Sequence, residues 1–119
     1  DLLSTIKKQV SKDSLRYFNF TNNPEKYISA SDFLCLPSYR EGFGGVVIEA
    51  AAASIPAVGS RIYGLTDAIA ENESGLLFEA GNVPELTECL IDLAENKDLR
   101  LSLGKKGKER VEKVVQTLY

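Results

Sequence analysis

Residues 32–54 read DFLCLPSYREGFGGVVIEAAAAS. The stretch opens with a short apolar run that Pro37 ends, which predicts a strand over residues 32–37, buried on both faces of a sheet. A turn rich in glycine follows, and an almost uninterrupted apolar run then predicts a helix over residues 44–54. A strand, a glycine turn and a helix in that order are typical of one unit of a parallel α/β sheet.

The same alternation continues on both sides of this unit. Apolar patterns of strand and helix period predict strands over residues 15–20, 55–60 and 75–79, and helices over residues 2–11, 24–30, 66–70, 83–95 and 98–115. Thr66 is the expected N-cap of the short helix. The predicted fold class is α/β, a Rossmann-like parallel sheet with helices on both faces. Ligands bind such sheets beyond the carboxyl ends of the strands.

Length and composition indicate one globular domain. The chain has 119 residues, of which 44% are hydrophobic and 26% charged, so the collagen-like, disordered and coiled-coil classes are excluded. No run approaches the roughly 20 apolar residues of a membrane-spanning helix. The chain does not open with a charged segment followed by an apolar run, so we expect no signal peptide. Because the sequence begins with Asp1 and contains no methionine, we expect it to be a piece of a longer protein.

The charge and the cysteine content indicate which kinds of partner the protein can have and in which cellular compartment it is expected. The 14 Lys and Arg are outnumbered by 17 Asp and Glu, which argues against a nucleic-acid partner, since such proteins cluster basic residues on one face. Cys35 and Cys89 lack the spacing of a metal site, and we expect no disulfide, as in a reducing, cytoplasmic compartment. With no histidine, catalysis would depend on carboxylates, backbone amides, lysine and arginine.

The glycine-rich turn has two interpretations. Gly42, Gly44 and Gly45 lie where the strand passes into the helix, and glycine lets a ligand approach the main chain closely. The free amides of a helix N-terminus favour a phosphate group at such a place. The turn would then bind phosphate; alternatively, it is an ordinary tight turn.

Glu49 is the one charged residue within the predicted helix over residues 44–54. A helix that is apolar all round is buried, and an isolated buried carboxylate is costly. Glu49 would therefore face a cleft, where it could hold a vicinal diol such as ribose, or pair with a buried Lys or Arg. Glu41 could border the same pocket without sharing a proton with Glu49, or it could be a solvated loop acid.

Taken together, these motifs resemble a known family. The run PSYREGFG at residues 37–44, followed by Glu49-Ala50, resembles the E-x7-E segment of retaining glycosyltransferases of family 4, which have the GT-B fold. The resemblance covers nearly the whole chain and maps to the C-terminal, nucleotide-sugar-binding domain, as in members that build capsular or surface polysaccharide. The flanking matches are ASD at 30–32, IPAV at 55–58, IYGLTD at 62–67 and SGLLF at 74–78.

The resemblance implies a role for each matching position. Glu41 would be the catalytic residue, in contact with the hydroxyl groups of the donor sugar, and Glu49 would hold the ribose hydroxyls. Phe20 or Thr21 would lie near the nucleobase. The turn would hold the sugar and the diphosphate with backbone groups of Gly42, Phe43, Gly44, Gly45 and Val46.

The resemblance also implies a reaction. A glycosyl group would pass from a nucleotide sugar, expected to be UDP-linked, to a saccharide or lipid-linked acceptor, with retention of configuration, in polysaccharide or glycolipid biosynthesis. We expect no metal and no other cofactor, because the helix N-terminus and basic side chains would stabilise the leaving diphosphate. The first strands of the domain and an N-terminal acceptor domain, which could contact the inner membrane, are expected to precede residue 1. The fragment alone is therefore expected to be inactive.

Several points of the sequence bear on these expectations. Gly45 stands where the family often has Asn, which could alter phosphate contacts, and Ser54 replaces a common Gly, a change expected to affect packing alone. Without the first strands, the strand over residues 15–20 would lack a neighbour, so we expect a homodimer or an exchange of elements between two copies. Two other functions remain open: a nucleotide-binding regulatory α/β module without transferase activity, and a structural assembly domain in which Glu49 forms an internal salt bridge.

Overall fold

The computed structural model describes Ile28, residues 30–37 and residues 45–118. Three strands form a parallel sheet in the order of the sequence: β1 (Leu34–Leu36), β2 (Ala57–Ser60) and β3 (Gly75–Phe78). The remaining described elements are helices: α1 (Gly45–Ala52), α2 (Leu65–Ala68), α3 (Val83–Glu95) and α4 (Lys97–Leu118). The predicted α/β class with a parallel sheet is confirmed. The predicted helix over 2–11, the strand over 15–20 and most of the helix over 24–30 lie outside the described residues.

Two apolar clusters, one on each face of the sheet, hold the helices in place. Successive strand residues point to opposite faces, so Ala57 and Val58 belong to different clusters. The cluster on the side of α3 and α4 consists of Val58, Phe78, Leu86, Leu93 and Leu103. The cluster on the side of α1 and α2 consists of Val47, Ala57, Leu65, Ile69 and Leu77. Helices therefore cover both faces, as predicted.

The strands differ in burial. All four residues of β2 are buried, because this strand has hydrogen-bonded neighbours on both sides. The three residues of β1 are only half-buried, because β1 is an edge among the described strands. The expectation that the first strand of the 32–54 stretch is buried on both faces is therefore wrong for the described structure.

Helix α1 ends at Ala52, two residues before its predicted end, in a turn that Ser54 completes. Ile55 N donates to Ala50 O at 2.8 Å and Ser54 N donates to Ala51 O at 2.9 Å, which is the hydrogen-bond pair of a Schellman motif. Ser54 has a φ of 63°, in the left-handed region that this motif requires and that glycine adopts most readily. The expectation that serine at this position affects packing alone is therefore wrong, because the backbone conformation is involved.

Helix α2 begins at Leu65 and ends at Ala68. The prediction that Thr66 is its N-cap is wrong. The residue before α2 is Gly64, with a φ of 95°, and no side chain caps the helix. The N–H of Thr66 instead donates to the carbonyl of Ile62 at 3.0 Å. The turn before α2 is held by backbone hydrogen bonds and by the fully buried Leu65, and not by a side-chain cap.

Helix α3 spans residues 83–95 as predicted, and local signals explain its bounds. The side chain of Asn82 accepts a hydrogen bond from Glu85 N at 3.0 Å at the first turn. At the other end, the side chain of Asn96 accepts from Leu99 N at 3.0 Å, so the residue that ends α3 also caps α4. The connection between these helices is therefore a single residue.

Helix α4 is four residues longer than predicted and contacts each of the other helices. Leu103 packs in the cluster on the α3 side, and Gly104 lies against Ser54 beyond the end of α1. Arg110 donates to the carbonyls of Asp67 and Ala68 in α2, at 3.0 and 3.1 Å. Within the described part of the chain, no helix is long and apolar enough to span a bilayer.

Candidate functional site

The carboxyl ends of the three strands meet at one edge of the sheet. The parallel register pairs Leu36 with Gly59 and Ser60 with Phe78, so the residues that follow each strand emerge side by side. Ligands of open parallel sheets bind at this edge. The segment after β1 leads into α1, whose first residue is Gly45. The start of α1, which is the described part of the predicted site, therefore lies where the fold favours a ligand.

The described residues include three of the predicted site positions: Gly45, Val46 and Glu49. All three belong to α1: Gly45 and Val46 to its first turn, and Glu49 to the turn that follows. The other predicted positions lie outside the described residues: Phe20, Thr21, Glu41, Gly42, Phe43 and Gly44.

The first turn of α1 presents an open main chain. Gly45 is exposed, and a Cβ atom placed there would meet no described atom within 4 Å. Val46 is half-buried and packs at the margin of the cluster on the α1 side, which anchors the turn. The first turn contains no acidic residue. The positive end of the helix dipole and its free amides are therefore not neutralised by a carboxylate of that turn.

Glu49 is exposed one helical turn into α1, about 6 Å along the axis from Gly45. No salt bridge joins Glu49 to a cation among residues 28, 30–37 and 45–118. Within that part of the chain, the structure therefore supports neither the buried ion pair nor the internal salt bridge expected of an assembly domain.

The reasoning that led to Glu49 nevertheless needs a correction. The sequence predicts that α1 is buried all round, but only Val47 and Ala50 are buried, and Ile48 is 36% exposed. Alanine side chains are small enough to lie at a surface at little cost, so an apolar run rich in alanine does not require complete burial. The exposed carboxylate therefore follows from its place on the helix and not from a need to escape an apolar interior.

Arg61, directly after β2, is held by carboxylates of its own chain. Its guanidinium donates a hydrogen bond to Glu71 and lies 3.6 Å from a Glu85 oxygen and 3.9 Å from a Glu79 oxygen. The hydrogen bond to Glu71, followed by the nearby carboxylates, raises the pKa of Arg61. Because these acids engage it, Arg61 is a poor candidate for a diphosphate clamp.

Two further residues at this edge were not predicted as site residues from the sequence. The hydroxyl of Ser60, the last residue of β2, is buried and has no hydrogen-bond partner among the described residues, which is uncommon for a buried polar group. Tyr63, three residues on, is 83% exposed. Ser60 carries no distinctive sequence signal, and Tyr63 belongs to the matching run IYGLTD at 62–67, which does not distinguish it from its neighbours; the fold is what separates these two positions from the rest.

Both cysteine thiols have raised pKa values, which lowers their reactivity. Cys35 and Cys89 are free, as expected, and both pack against the cluster on the α3 side. Burial, with a smaller contribution from Cys89, raises the pKa of Cys35 to about 12. Burial, followed by nearby acidic residues, also raises the pKa of Cys89. Among the described residues, no three His, Cys, Asp or Glu side chains group as metal ligands.

Comparison with known proteins places this geometry in a family. The model of the family described as glycosyl transferases group 1 matches residues 2–110. An uncharacterized glycosyltransferase of Methanocaldococcus jannaschii is 39% identical over 83 residues, which cover 70% of this chain and 24% of that protein. The capsular polysaccharide biosynthesis glycosyltransferase CapM of Staphylococcus aureus is 29% identical over 122 residues, which cover 93% of this chain and 32% of CapM.

A solved structure agrees with these sequence matches. A mutant of TarM from S. aureus, in complex with fondaparinux, α-GlcNAc-glycerol and UDP, superposes with a TM-score of 0.76 at 25% identity, over 96% of this chain and 24% of that one. The chain thus covers between 24% and 32% of the length of these three proteins. As the resemblance implied, it corresponds to the C-terminal domain of a GT-B glycosyltransferase, and it belongs to the glycosyl transferases group 1 family.

Proposed function

We propose that the protein carrying this domain transfers a glycosyl group from a nucleotide sugar to an acceptor, and that this domain binds the donor. The donor is expected to be a UDP-sugar, since the TarM structure of the same fold holds UDP. The acceptor would be a saccharide or a lipid-linked saccharide bound by a further domain. The product would belong to polysaccharide or glycolipid biosynthesis; the name of CapM states capsular polysaccharide biosynthesis.

One observation carries this proposal. Glu49 is exposed one turn inside α1, next to the helix N-terminus, where a Cβ atom at Gly45 would meet no described atom within 4 Å. Amides at a helix N-terminus bind phosphate, and a carboxylate accepts two hydrogen bonds from the hydroxyls of a diol. A diphosphate on the first turn and a ribose beside Glu49 therefore match these two features in their order along the helix.

The remaining roles follow from the family resemblance and complete the site. Gly45 and Val46 would donate their amides to the diphosphate, and Gly42, Phe43 and Gly44 would contact the sugar and its phosphate. Glu41 would act at the donor sugar, while Phe20 or Thr21 would lie by the nucleobase. Stabilisation of the leaving diphosphate by amides and basic groups would be electrostatic, with no metal required and with retention at the anomeric carbon.

The test is nucleotide binding to the full-length protein by isothermal titration calorimetry with UDP, ADP and GDP. We expect binding of at least one nucleotide, and Glu49→Gln should weaken it about tenfold to hundredfold, as the loss of a charge-assisted hydrogen bond does. Glu109→Gln, an exposed acid on α4, is the matched control and should leave the affinity unchanged. Equal affinities of the wild type and Glu49→Gln would remove Glu49 from the site, and failure of all three nucleotides to bind would refute the proposed function.

A further inference from the structure

The turn after β2 places one aromatic ring at the ligand-binding edge without burying it. Tyr63 is 83% exposed, whereas the other exposed large apolar side chains of the described residues range from 36% to 60%. The side chain of Tyr63 has no hydrogen bond, ion pair or ring contact with any described residue. A tyrosine ring carries a large apolar surface with a polar tip. At this position both are available to a ligand, because the described residues do not use them.

The backbone around Tyr63 is firmly held. Ile62 N donates to Ser60 O at 2.8 Å, and Leu65 N donates to Ile62 O at 3.2 Å. Ile62 and Leu65 pack in the cluster on the α1 side, and Gly64 supplies the positive φ that turns the chain between them. The backbone of Tyr63 is therefore held in place by its neighbours on both sides, and its position does not depend on contacts of the ring.

The same cluster ties the turn to the start of α1. Val46 and Val47, from the first turn of α1, pack in the cluster that holds Ile62 and Leu65, and both segments follow the carboxyl ends of neighbouring strands. The ring of Tyr63 thus emerges at the edge of the sheet where α1 presents its amides and Glu49.

We propose that Tyr63 is a specificity residue whose ring packs against the face of a pyranose, the sugar unit of the acceptor or of the donor. The inference rests on the proposed function, because the sugar must be brought to this edge by a nucleotide on α1. The C–H groups on one face of a pyranose form an apolar surface that suits an uncharged aromatic ring, and the phenol can hydrogen-bond a sugar hydroxyl. The polar atoms of the nucleotide are already matched by amides and a carboxylate, whereas a sugar face needs such an apolar platform.

The experiment uses the full-length protein with Tyr63→Ala and Tyr63→Phe. The control is Leu101→Ala, a residue of α4 that is 60% exposed and lies beside Ser54, near the opposite ends of the strands. Calorimetry with UDP reports the nucleotide site. Steady-state transfer from a panel of UDP-, ADP- and GDP-sugars to nitrophenyl glycosides of common hexoses and N-acetylhexosamines reports the sugar, and thermal unfolding reports folding.

We expect Tyr63→Ala to raise the KM of one sugar substrate about tenfold, with UDP affinity and Tm unchanged, and Tyr63→Phe to stay within about threefold of the wild type. A raised KM for the glycoside assigns the ring to the acceptor, and a raised KM for the nucleotide sugar assigns it to the donor. Three outcomes would each overturn the proposal. The first is sugar KM values of Tyr63→Ala within twofold of the wild type. The second is a lowered Tm, as expected if the ring contacts another part of the protein, and the third is a protein that binds UDP but uses no glycoside. A wild-type protein that binds none of the nucleotides would instead refute the proposed function itself.

Discussion

Gly104 of α4 lies directly against the main chain of Ser54: a Cβ atom at position 104 would be 2.2 Å from the Ser54 carbonyl oxygen and 3.0 Å from its carbonyl carbon. Both atoms belong to the backbone, so the neighbour cannot rotate away. This contact allows α4 to approach the end of α1 more closely than any side chain would permit.

We expect Gly104→Ala to destabilise the domain by about 1–3 kcal/mol, as overpacking does, despite the better helix propensity of alanine. The matched control is Gly107→Ala in the same helix, where the new Cβ would lie 3.4 Å from the Cβ of Ser74, an ordinary contact. That variant should gain up to about 1 kcal/mol. Urea titration of the full-length protein measures both, and a similar free energy of unfolding for the two variants would contradict the close approach at Gly104.

Ser54→Gly should stabilise the domain by about 0.5–1 kcal/mol, because a left-handed conformation costs an L-residue and not glycine. Ala53→Gly, one residue earlier and without a positive φ, is the control and should destabilise the domain by a similar amount. Thermal unfolding of the full-length protein compares them. A lower Tm for Ser54→Gly than for the wild type would show that the serine side chain contributes more than its backbone strain removes.

The buried thiol of Cys35 should make stability fall at alkaline pH. Its pKa is raised from 9.0 to about 12 in the folded protein, so between these values the unfolded chain releases a proton that the folded chain keeps. Stability therefore decreases as the pH rises through this window, by at most about 1.4 kcal/mol per pH unit. Below pH 9 the effect should be absent.

Urea titrations at pH 8, 9.5 and 10.5 measure the alkaline effect of Cys35, with Cys35→Ala as the variant that removes it. The slope of stability against pH should be shallower in Cys35→Ala. Alkylation by iodoacetamide at pH 8 should be slow at Cys35 in the folded protein, because the thiolate is the reactive species. Identical slopes for wild type and variant, with rapid alkylation, would show that the thiol is not held protonated.

Glu41→Ala tests the catalytic role that the family resemblance gives to this residue. In the full-length protein we expect kcat to fall about 100-fold while the Kd of the nucleotide sugar changes less than tenfold, since an interaction made in the transition state affects turnover most. Steady-state kinetics with the best donor and calorimetry with the same donor separate the two effects. An equal loss in kcat and in donor affinity would make Glu41 a binding residue, and Glu109→Ala serves as the exposed control.

Elements fixed by local signals were predicted well from the sequence. Helix α3 begins after Asn82 and ends before Asn96 because the first asparagine caps the helix locally and the second ends it. The parallel sheet and the position of α1 after β1 also follow from the alternation of apolar patterns. Thr66 failed as a cap because the start of α2 is set by the burial of Leu65 and by the turn at Gly64, which are tertiary facts.

The candidate site was predicted only in part. The place of Glu49 on α1 follows from the sequence, but its exposure does not, because alanine runs can be buried or exposed. The partners of Arg61 lie on three separate segments, so no local pattern could group them. The expected homodimer, or exchange of elements between copies, stays a prediction that sedimentation of the full-length protein can test, since the strand over residues 15–20 lies outside the described residues.

The way α4 touches every other helix has a consequence for how the domain comes apart. Leu103 holds the α3 side, Gly104 the end of α1, and Arg110 the end of α2. Detaching α4 would therefore uncover the α3 face of the sheet and release the ends of α1 and α2 at once, so we expect α4 not to open separately from the rest of the described unit. The amide hydrogens around residues 103–107 should accordingly exchange with solvent only when the whole unit opens, and together with those of β2.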